Sequence, residues 1–214
     1  MQDWGTYAHN AASLFVIANP LGVAPLFMSL TNRQTAEQRI RTARVTATTV
    51  AVVLITAVFV GEALLRFFGI RMASFRVGGG ILILLMALAM LQARPSPTHH
   101  NTPEETEEAA MKGAVAVVPL GIPLVAGPGA ISTVIIYADQ AATWFDTVFL
   151  VLTVLFVAGS VWIALRLSDR VRSILGTMGI NIVTRLLGLI LAAVGIEFIA
   201  DGLAQLLPGL ASHQ

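Results

Sequence analysis

The chain has 214 residues, of which 56% are hydrophobic and only 12% are charged. Soluble domains carry about 25% charged residues, and so few charges could not cover this much apolar surface in water. The composition therefore predicts an integral membrane protein. A net charge of +1 excludes an electrostatic nucleic-acid-binding surface. The absence of cysteine excludes disulfides, thiolate metal sites and a cysteine nucleophile.

Apolar runs of membrane-spanning length occur six times along the chain. A spanning helix needs about 20 mostly apolar residues, so these runs predict an all-α polytopic membrane protein with six transmembrane helices. The runs are Gly5–Leu30, Ala43–Leu65, Phe75–Leu91, Ala114–Tyr137, Phe145–Leu165 and Val183–Leu206. No basic residue precedes the first run, unlike in a cleavable signal peptide. We therefore expect it to be retained as a span.

Residues 92–113 differ in composition from the spans around them. Prolines and histidines are followed there by four glutamates, a pattern typical of a solvated linker. The predicted organisation is a first three-helix repeat (1–91), a polar cytoplasmic linker (92–113) and a second three-helix repeat (114–214). His99 and His100 lack a third ligand at helical spacing, so no metal site or cofactor is expected.

Lysine and arginine are distributed unevenly between the two sides of the predicted bundle. Nine follow spans one, three and five, three lie near the start of span three, and the loop Ala138–Trp144 has none. The nine are Arg33, Arg39, Arg41, Arg44, Arg94, Lys112, Arg166, Arg170 and Arg172, and the three are Arg66, Arg71 and Arg76. Because short cytoplasmic loops are enriched in basic residues, both termini are predicted to lie outside the cytoplasm.

Short motifs recur in the same order in the two halves of the chain. Gly69-Ile70 recurs as Gly179-Ile180 at an offset of 110 residues, and Pro20-Leu21-Gly22-Val23 resembles Pro119-Leu120-Gly121-Ile122. A three-span unit crosses the membrane an odd number of times, so its copy must enter from the opposite face. The repeats are therefore predicted to be inverted, as in many secondary transporters.

Prolines and glycines cluster inside the first and fourth predicted spans, in Asn19-Pro20-Leu21-Gly22-Val23-Ala24-Pro25 and in residues 119–132. Proline removes a backbone donor and glycine permits non-helical dihedral angles, so helices 1 and 4 are predicted to be broken. Irregular backbone inside a bilayer is tolerated only where it is buried in protein or lines a wet cavity. Two matched breaks therefore favour a transporter binding site over ordinary proline kinks.

The helix ends at such breaks carry complementary partial charges. Free N–H groups and the positive dipole end suit a carboxylate, and free carbonyl groups suit an ammonium group. A small zwitterion such as an amino acid matches both. The predicted substrate-binding residues are Asn19, Pro20, Gly22, Pro25, Pro123, Gly127, Pro128, Gly129, Ala130 and Ser132.

These motifs resemble those of the MarC family. The resemblance is carried by Asn19-Pro20-Leu21-Gly22, by Pro123-Leu124-Val125-Ala126-Gly127-Pro128-Gly129-Ala130-Ile131-Ser132 and by Gly179-Ile180-Asn181, and it extends over essentially the whole chain. It implies a small inner-membrane (plasma-membrane) protein grouped with neutral amino acid transporters. The implied substrates are small neutral amino acids such as glycine and alanine.

Ionisable residues in or near the spans are further functional candidates. Glu197 and Asp201 share one face of predicted span six and could bind a coupling proton. Arg185 and Arg76 could take part in coupling or gating. The simpler interpretation is that these two arginines anchor the protein at the membrane interface.

The function that these patterns favour is secondary transport by alternating access around a midplane site. No nucleotide-binding motif is present, so a proton, a sodium ion or exchange is expected to provide the coupling. Efflux of another small molecule and a membrane scaffold without a transported substrate remain alternatives. An enzyme is not expected, because the four histidines lie in termini, in the linker or at the aqueous end of a span and Ser132 has no evident base. Glycine-rich spans would permit a homo-oligomer.

Overall fold

The computed structural model describes residues 3–31, 34–92 and 125–207, and within these ranges every regular element is helical. The helices are α1 (Trp4–Ala18), α2 (Pro20–Leu30), α3 (Ala36–Phe67), α4 (Met72–Leu91), α5 (Pro128–Gln140), α6 (Trp144–Arg166) and α7 (Ser168–Leu206). The all-helical prediction is confirmed for this part of the chain.

Five segments of the described ranges are long and apolar enough to cross a membrane. They are Trp4–Met28, Ala36–Phe67, Met72–Leu91, Trp144–Arg166 and Met178–Leu206. They correspond to the first, second, third, fifth and sixth predicted spans. The fourth, Ala114–Tyr137, begins outside the described residues, and its described part ends in α5. The linker, apart from Gln92, also lies outside them.

Capping side chains set several of the helix boundaries. Asp3 begins α1 by accepting the N–H of Thr6 at 2.8 Å. Thr35 and Gln38 form a reciprocal capping box that begins α3. As a result α3 has 32 residues and a length of about 48 Å at 1.5 Å per residue. It therefore extends beyond the predicted span Ala43–Leu65 at both ends.

Glycine interrupts the longest helix. Within α7, Gly176 has φ 62° and ψ 179°, which separates residues 168–175 from the membrane-spanning part of the helix. A side chain would strain this left-handed backbone. The segment before the kink explains why α7 begins at Ser168, well before the predicted start of span six at Val183.

Contacts between helices define the two ends of the bundle. At end A, which contains the starts of α1, α4 and α6, the hydroxyl of Tyr7 donates to Asp146. Deeper in the bundle the rings of Phe15 and Phe156 lie 6.4 Å apart, so α1 and α6 run in parallel. At end B, which contains the start of α3 and the end of α6, Arg39 pairs with Asp169, and α3 therefore runs antiparallel to α6.

Glycines allow α4 and α7 to approach backbone to backbone. A Cβ atom added to Gly80 would lie 2.7 Å from the carbonyl oxygen of Gly195, and one added to Gly202 would lie 2.7 Å from the side chain of Val77. The contact further along α7, at Gly202, is made with a residue that comes earlier in α4, at Val77. The two helices are therefore antiparallel. Small residues at such crossings permit the close packing on which helix association in membranes depends.

The outer faces of the long helices remain apolar. Large hydrophobic side chains are exposed along α3, α6 and α7, including Val52, Phe59, Val60, Leu152, Leu155, Phe156, Leu186, Leu189 and Ile190. An apolar belt of this kind would be unfavourable in water and suits contact with lipid. Together with the five apolar helical segments, it gives the molecule the form of a multi-pass membrane protein.

Candidate functional site

Asn19 forms the break in the first predicted span. Its backbone is left-handed, with φ 43° and ψ 59°, and its N–H donates to the carbonyl of Phe15 at 3.0 Å. Its side-chain oxygen accepts the N–H of Gly22 at 3.1 Å. One residue therefore ends α1 and caps α2. Gly22 must lack a side chain here, because a Cβ atom would overlap the amide of Asn19.

The second helix start lies at Gly127 and Pro128. Gly127 is extended, with φ −72° and ψ 175°, and Pro128 is the first residue of α5. No side chain of the described residues caps this helix, and the N–H groups of Gly129 and Ala130 belong to its first turn, where the helix itself supplies no acceptor. Both residues are buried, whereas Pro128 is exposed. The described residues thus leave a buried, electropositive helix end without a side-chain cap.

The start of α5 lies beside the break between α1 and α2. A Cβ atom added to Gly129 would lie 3.8 Å from the side chain of Ile17, two residues before Asn19, and 2.8 Å from the sulfur of Met86 on α4. Because α1 has 15 residues, the break lies about 22 Å from its start at 1.5 Å per residue. This depth is within the roughly 30 Å thickness of a bilayer core.

Two hydroxyl groups follow the start of α5, and both bond within their own helix. Ser132 Oγ donates to the carbonyl of Pro128 at 2.6 Å, and Thr133 Oγ1 donates to that of Gly129 at 2.8 Å. Ser132 is buried against Gly79 of α4. Its proton is therefore already engaged, and towards a ligand this hydroxyl can act only as an acceptor.

The remaining predicted site residues are only partly brought together. Pro20 is buried at the break, and Gly22 is half-buried in the first turn of α2. Pro25 lies inside α2 as an exposed residue and does not break the helix. It is about 8 Å beyond Pro20 along the helix axis at 1.5 Å per residue. Pro123 lies outside the described residues.

The charged candidates occupy different environments. Glu197, Asp201 and Arg185 are all exposed on α7. Arg76 on α4 is only 8% exposed, and it pairs with Asp139 on α5 at 3.3 Å. Arg76 is therefore buried and paired, and its role as an interfacial anchor stays a prediction.

Asp139 is the residue that sequence reasoning missed. The predicted loop Ala138–Trp144 placed it outside the spans, whereas α5 continues to Gln140. An acidic residue at the end of an apolar run was the available signal, and Arg76 was a basic residue in a neighbouring span. Their proximity depends on how α4 and α5 pack, which local composition does not reveal.

Comparison with known proteins places these features in a family. The profile described as MarC family integral membrane protein matches residues 4–207. A UPF0056 membrane protein of Buchnera aphidicola subsp. Schizaphis graminum is 35% identical over 210 residues, which cover 98% of this chain and 97% of the relative. The UPF0056 membrane protein YhcE of Escherichia coli (strain K12) is 36% identical over 208 residues, which cover 97% and 96%.

A relative from a third organism is similar to the chain to nearly the same degree. The UPF0056 membrane protein MJ1677 of Methanocaldococcus jannaschii is 33% identical over 192 residues, which cover 90% of this chain and 93% of the relative. No solved structure matches the chain significantly. Because the family profile and these relatives align along nearly the whole sequence, the chain belongs to the MarC family of integral membrane proteins.

Proposed function

We propose that this protein is a secondary transporter for small neutral amino acids, with glycine and alanine as the representative substrates. The observation that carries the proposal is the buried start of α5, which no side chain of the described residues caps, beside the break between α1 and α2. In a membrane protein, two broken helices that meet inside the bundle favour a binding site at the midplane.

The exposed backbone groups at this site suit a zwitterion. The N–H groups of Gly129 and Ala130 lie at the positive end of the α5 dipole and would bind a carboxylate. The last carbonyl groups of α1, which ends at Ala18, would accept an ammonium group. Ile17 and Met86 crowd Gly129, so the site favours a substrate with a small side chain.

Six spans in two inverted repeats would provide the alternating access. Pro20 and Pro128 each occupy the first position of a helix, so the start of α2 resembles the start of α5. The antiparallel packing of α4 with α7 supports this arrangement. The opposite directions of α3 and α6 support it as well. In the proposal the two halves rock around the helix breaks, within an inner membrane and with both termini outside the cytoplasm.

The driving ion is proposed to be a proton or a sodium ion. Glu197 and Asp201 lie on the membrane-spanning part of α7, four residues apart and both exposed. Carboxylates at such positions are unfavourable in hydrocarbon unless water or a cation reaches them. This makes them the first candidates for ion binding.

Uptake of radiolabelled glycine and alanine into proteoliposomes tests the proposal. The vesicles would be compared with empty vesicles, with and without preloaded amino acid and an imposed proton or sodium gradient. We expect saturable uptake that is stimulated by one of the gradients or by preloaded substrate. A folded, reconstituted protein that takes up neither amino acid under any of these conditions would refute the proposed substrates and favour the scaffold alternative.

Gly129→Leu and Gly78→Leu form a matched pair of variants for locating the site. Position 129 is at the start of α5, and a side chain there would collide with Met86 of α4. Nothing lies within 4 Å of a Cβ atom at position 78. We expect Gly129→Leu to abolish uptake and Gly78→Leu to retain it, at comparable yields of monodisperse protein. Equal uptake by the two variants would place the binding site away from the helix breaks.

A further inference from the structure

A partly buried ion pair joins α4 to α5 near end A of the bundle. Arg76 is 8% exposed, and its Nη2 atom lies 3.3 Å from Oδ2 of Asp139, whose side chain is 30% exposed. Both residues belong to helices of the apolar bundle, where a charged side chain is costly without a partner. The pair therefore combines a shielded cation with a carboxylate that can be reached from outside.

Arg76 uses few of its hydrogen-bond donors. Its one contact with Asp139 is monodentate, and its buried Nε atom has no partner among the described residues. Arg39 at end B differs, because it donates to both oxygens of Asp169 and to Ser168. A guanidinium group can bind a carboxylate through two parallel N–H groups, so Arg76 retains capacity for a second anion.

The position of the pair relates it to the helix breaks. Asp139 follows Gly129 by ten residues on α5, or about 15 Å at 1.5 Å per residue. It lies on the side of the breaks that faces end A, because α6 begins at that end only four residues after α5 stops. A substrate that approached the breaks from end A would meet the partly exposed Asp139 before Gly129.

We propose that Arg76 and Asp139 form a first binding site for zwitterionic substrates on the path from end A to the helix breaks. Arg76 binds the substrate carboxylate through Nε and one Nη atom, and Asp139 accepts the ammonium group. The ion pair between Arg76 and Asp139 is then replaced by two ion pairs with the substrate, so no buried charge is left unpaired. A ligand with only one charge would leave Arg76 or Asp139 without a partner. This inference rests on the proposed function, since it names the residues that would select the substrate.

Competition with the wild-type protein is the first test, because it requires no variant to fold. Uptake of radiolabelled glycine would be measured in proteoliposomes preloaded with unlabelled amino acid. Unlabelled alanine, acetate or methylamine would be added outside as the competitor. We expect alanine to compete at concentrations at least about tenfold lower than acetate or methylamine, because only a zwitterion satisfies both charges. Equal competition by the three compounds would overturn the inference.

Variants then assign the selectivity to the pair. In Asp139→Asn the ammonium partner is lost, so we expect a weaker affinity for glycine and a gain in competition by acetate. In Arg76→Gln, competition by methylamine should rise instead. The double variant Arg76→Gln/Asp139→Asn removes both charges, which avoids an unpaired buried group, and should discriminate least among the competitors.

The exposed pair Glu62 and Arg66 at the same end of the bundle provides the control. Glu62→Gln/Arg66→Gln should leave the KM for glycine and the order of competitors unchanged. If Asp139→Asn and Arg76→Gln are folded and transport glycine with the wild-type order of competitors, the pair is structural and the inference is wrong. Absence of glycine transport by the wild-type protein would instead refute the proposed function itself.

Discussion

Asn19 shows how one residue can build a break inside a membrane span. Its left-handed backbone stops α1, and its side chain satisfies an N–H group at the start of α2. Asparagine tolerates this conformation better than most residues with a side chain. The proline that follows has no N–H to leave unpaired at the first helical position. The break therefore leaves few backbone groups unpaired inside a lipid bilayer, which offers no hydrogen-bond partners.

Substitution at Asn19 should separate the capping effect from the backbone effect. Asn19→Ala loses the hydrogen bond to Gly22 and strains the positive φ, and we expect it to lower the free energy of unfolding by about 2 kcal/mol. Asn19→Gly loses only the cap and should cost less than about 1 kcal/mol. Thermal unfolding in detergent micelles would measure both, and equal losses for the two variants would show that the positive φ contributes nothing.

At the residue scale, the sequence predicts backbone features better than side-chain pairs. The break at Asn19 follows from local chemistry, since proline restricts the backbone and glycine permits unusual dihedral angles wherever they occur. Pro25 shows the limit of that rule, because α2 accommodates it without a break. The pair of Arg76 and Asp139 joins residues 63 positions apart. Only the packing of α4 against α5 brings them together.

At the scale of elements, the tight packing of α4 against α7 depends on glycine. Gly80 and Gly195 each approach the carbonyl oxygen of the other, at 2.7 and 3.0 Å from an added Cβ atom. A backbone neighbour cannot rotate away as a flexible side chain can. The sequence identifies glycine-rich spans, but it does not distinguish Gly80, which lies in this contact, from Gly78, which faces open space.

That difference predicts opposite outcomes for neighbouring substitutions. Gly80→Ala should separate α4 from α7 and cost about 1–3 kcal/mol, as overpacking does in well-packed cores. Gly78→Ala should be neutral or slightly stabilising, because alanine is the better helix former. Thermal unfolding of the two variants in the same detergent tests this. A loss at position 78 as large as that at position 80 would contradict the assignment of the contact face.

The lengths of the elements were less predictable than the locations of the five described spans. Apolar composition locates the centre of a span, but helices continue wherever capping and packing allow. For this reason α3 extends to its capping box at Thr35, and α7 continues back through a kink at Gly176 to Ser168. These extensions are polar or amphipathic, so a search for apolar runs does not include them.

For the whole molecule, the ion pairs sharpen the charge difference between its two ends. At end A, Arg66 pairs with Glu62 and Arg76 with Asp139, which leaves Arg71 as the arginine without an ion pair in the described part of that end. At end B, four arginines have no ion pair within the described ranges. They are Arg41, Arg44, Arg166 and Arg170. Two of the three arginines that opposed the predicted orientation thus have acidic partners.

The absence of cysteine allows a direct test of this orientation. Ala142→Cys at end A and Glu37→Cys at end B each introduce one thiol at an exposed position into a chain that has none. Since basic loops are retained in the cytoplasm, a membrane-impermeant maleimide should label Ala142→Cys in intact cells and Glu37→Cys only after permeabilisation. The reverse pattern would place end A in the cytoplasm, and a transported amino acid would then meet Asp139 and Arg76 from the inside. The labelling result therefore determines from which side of the membrane the substrate reaches the proposed site at Arg76 and Asp139.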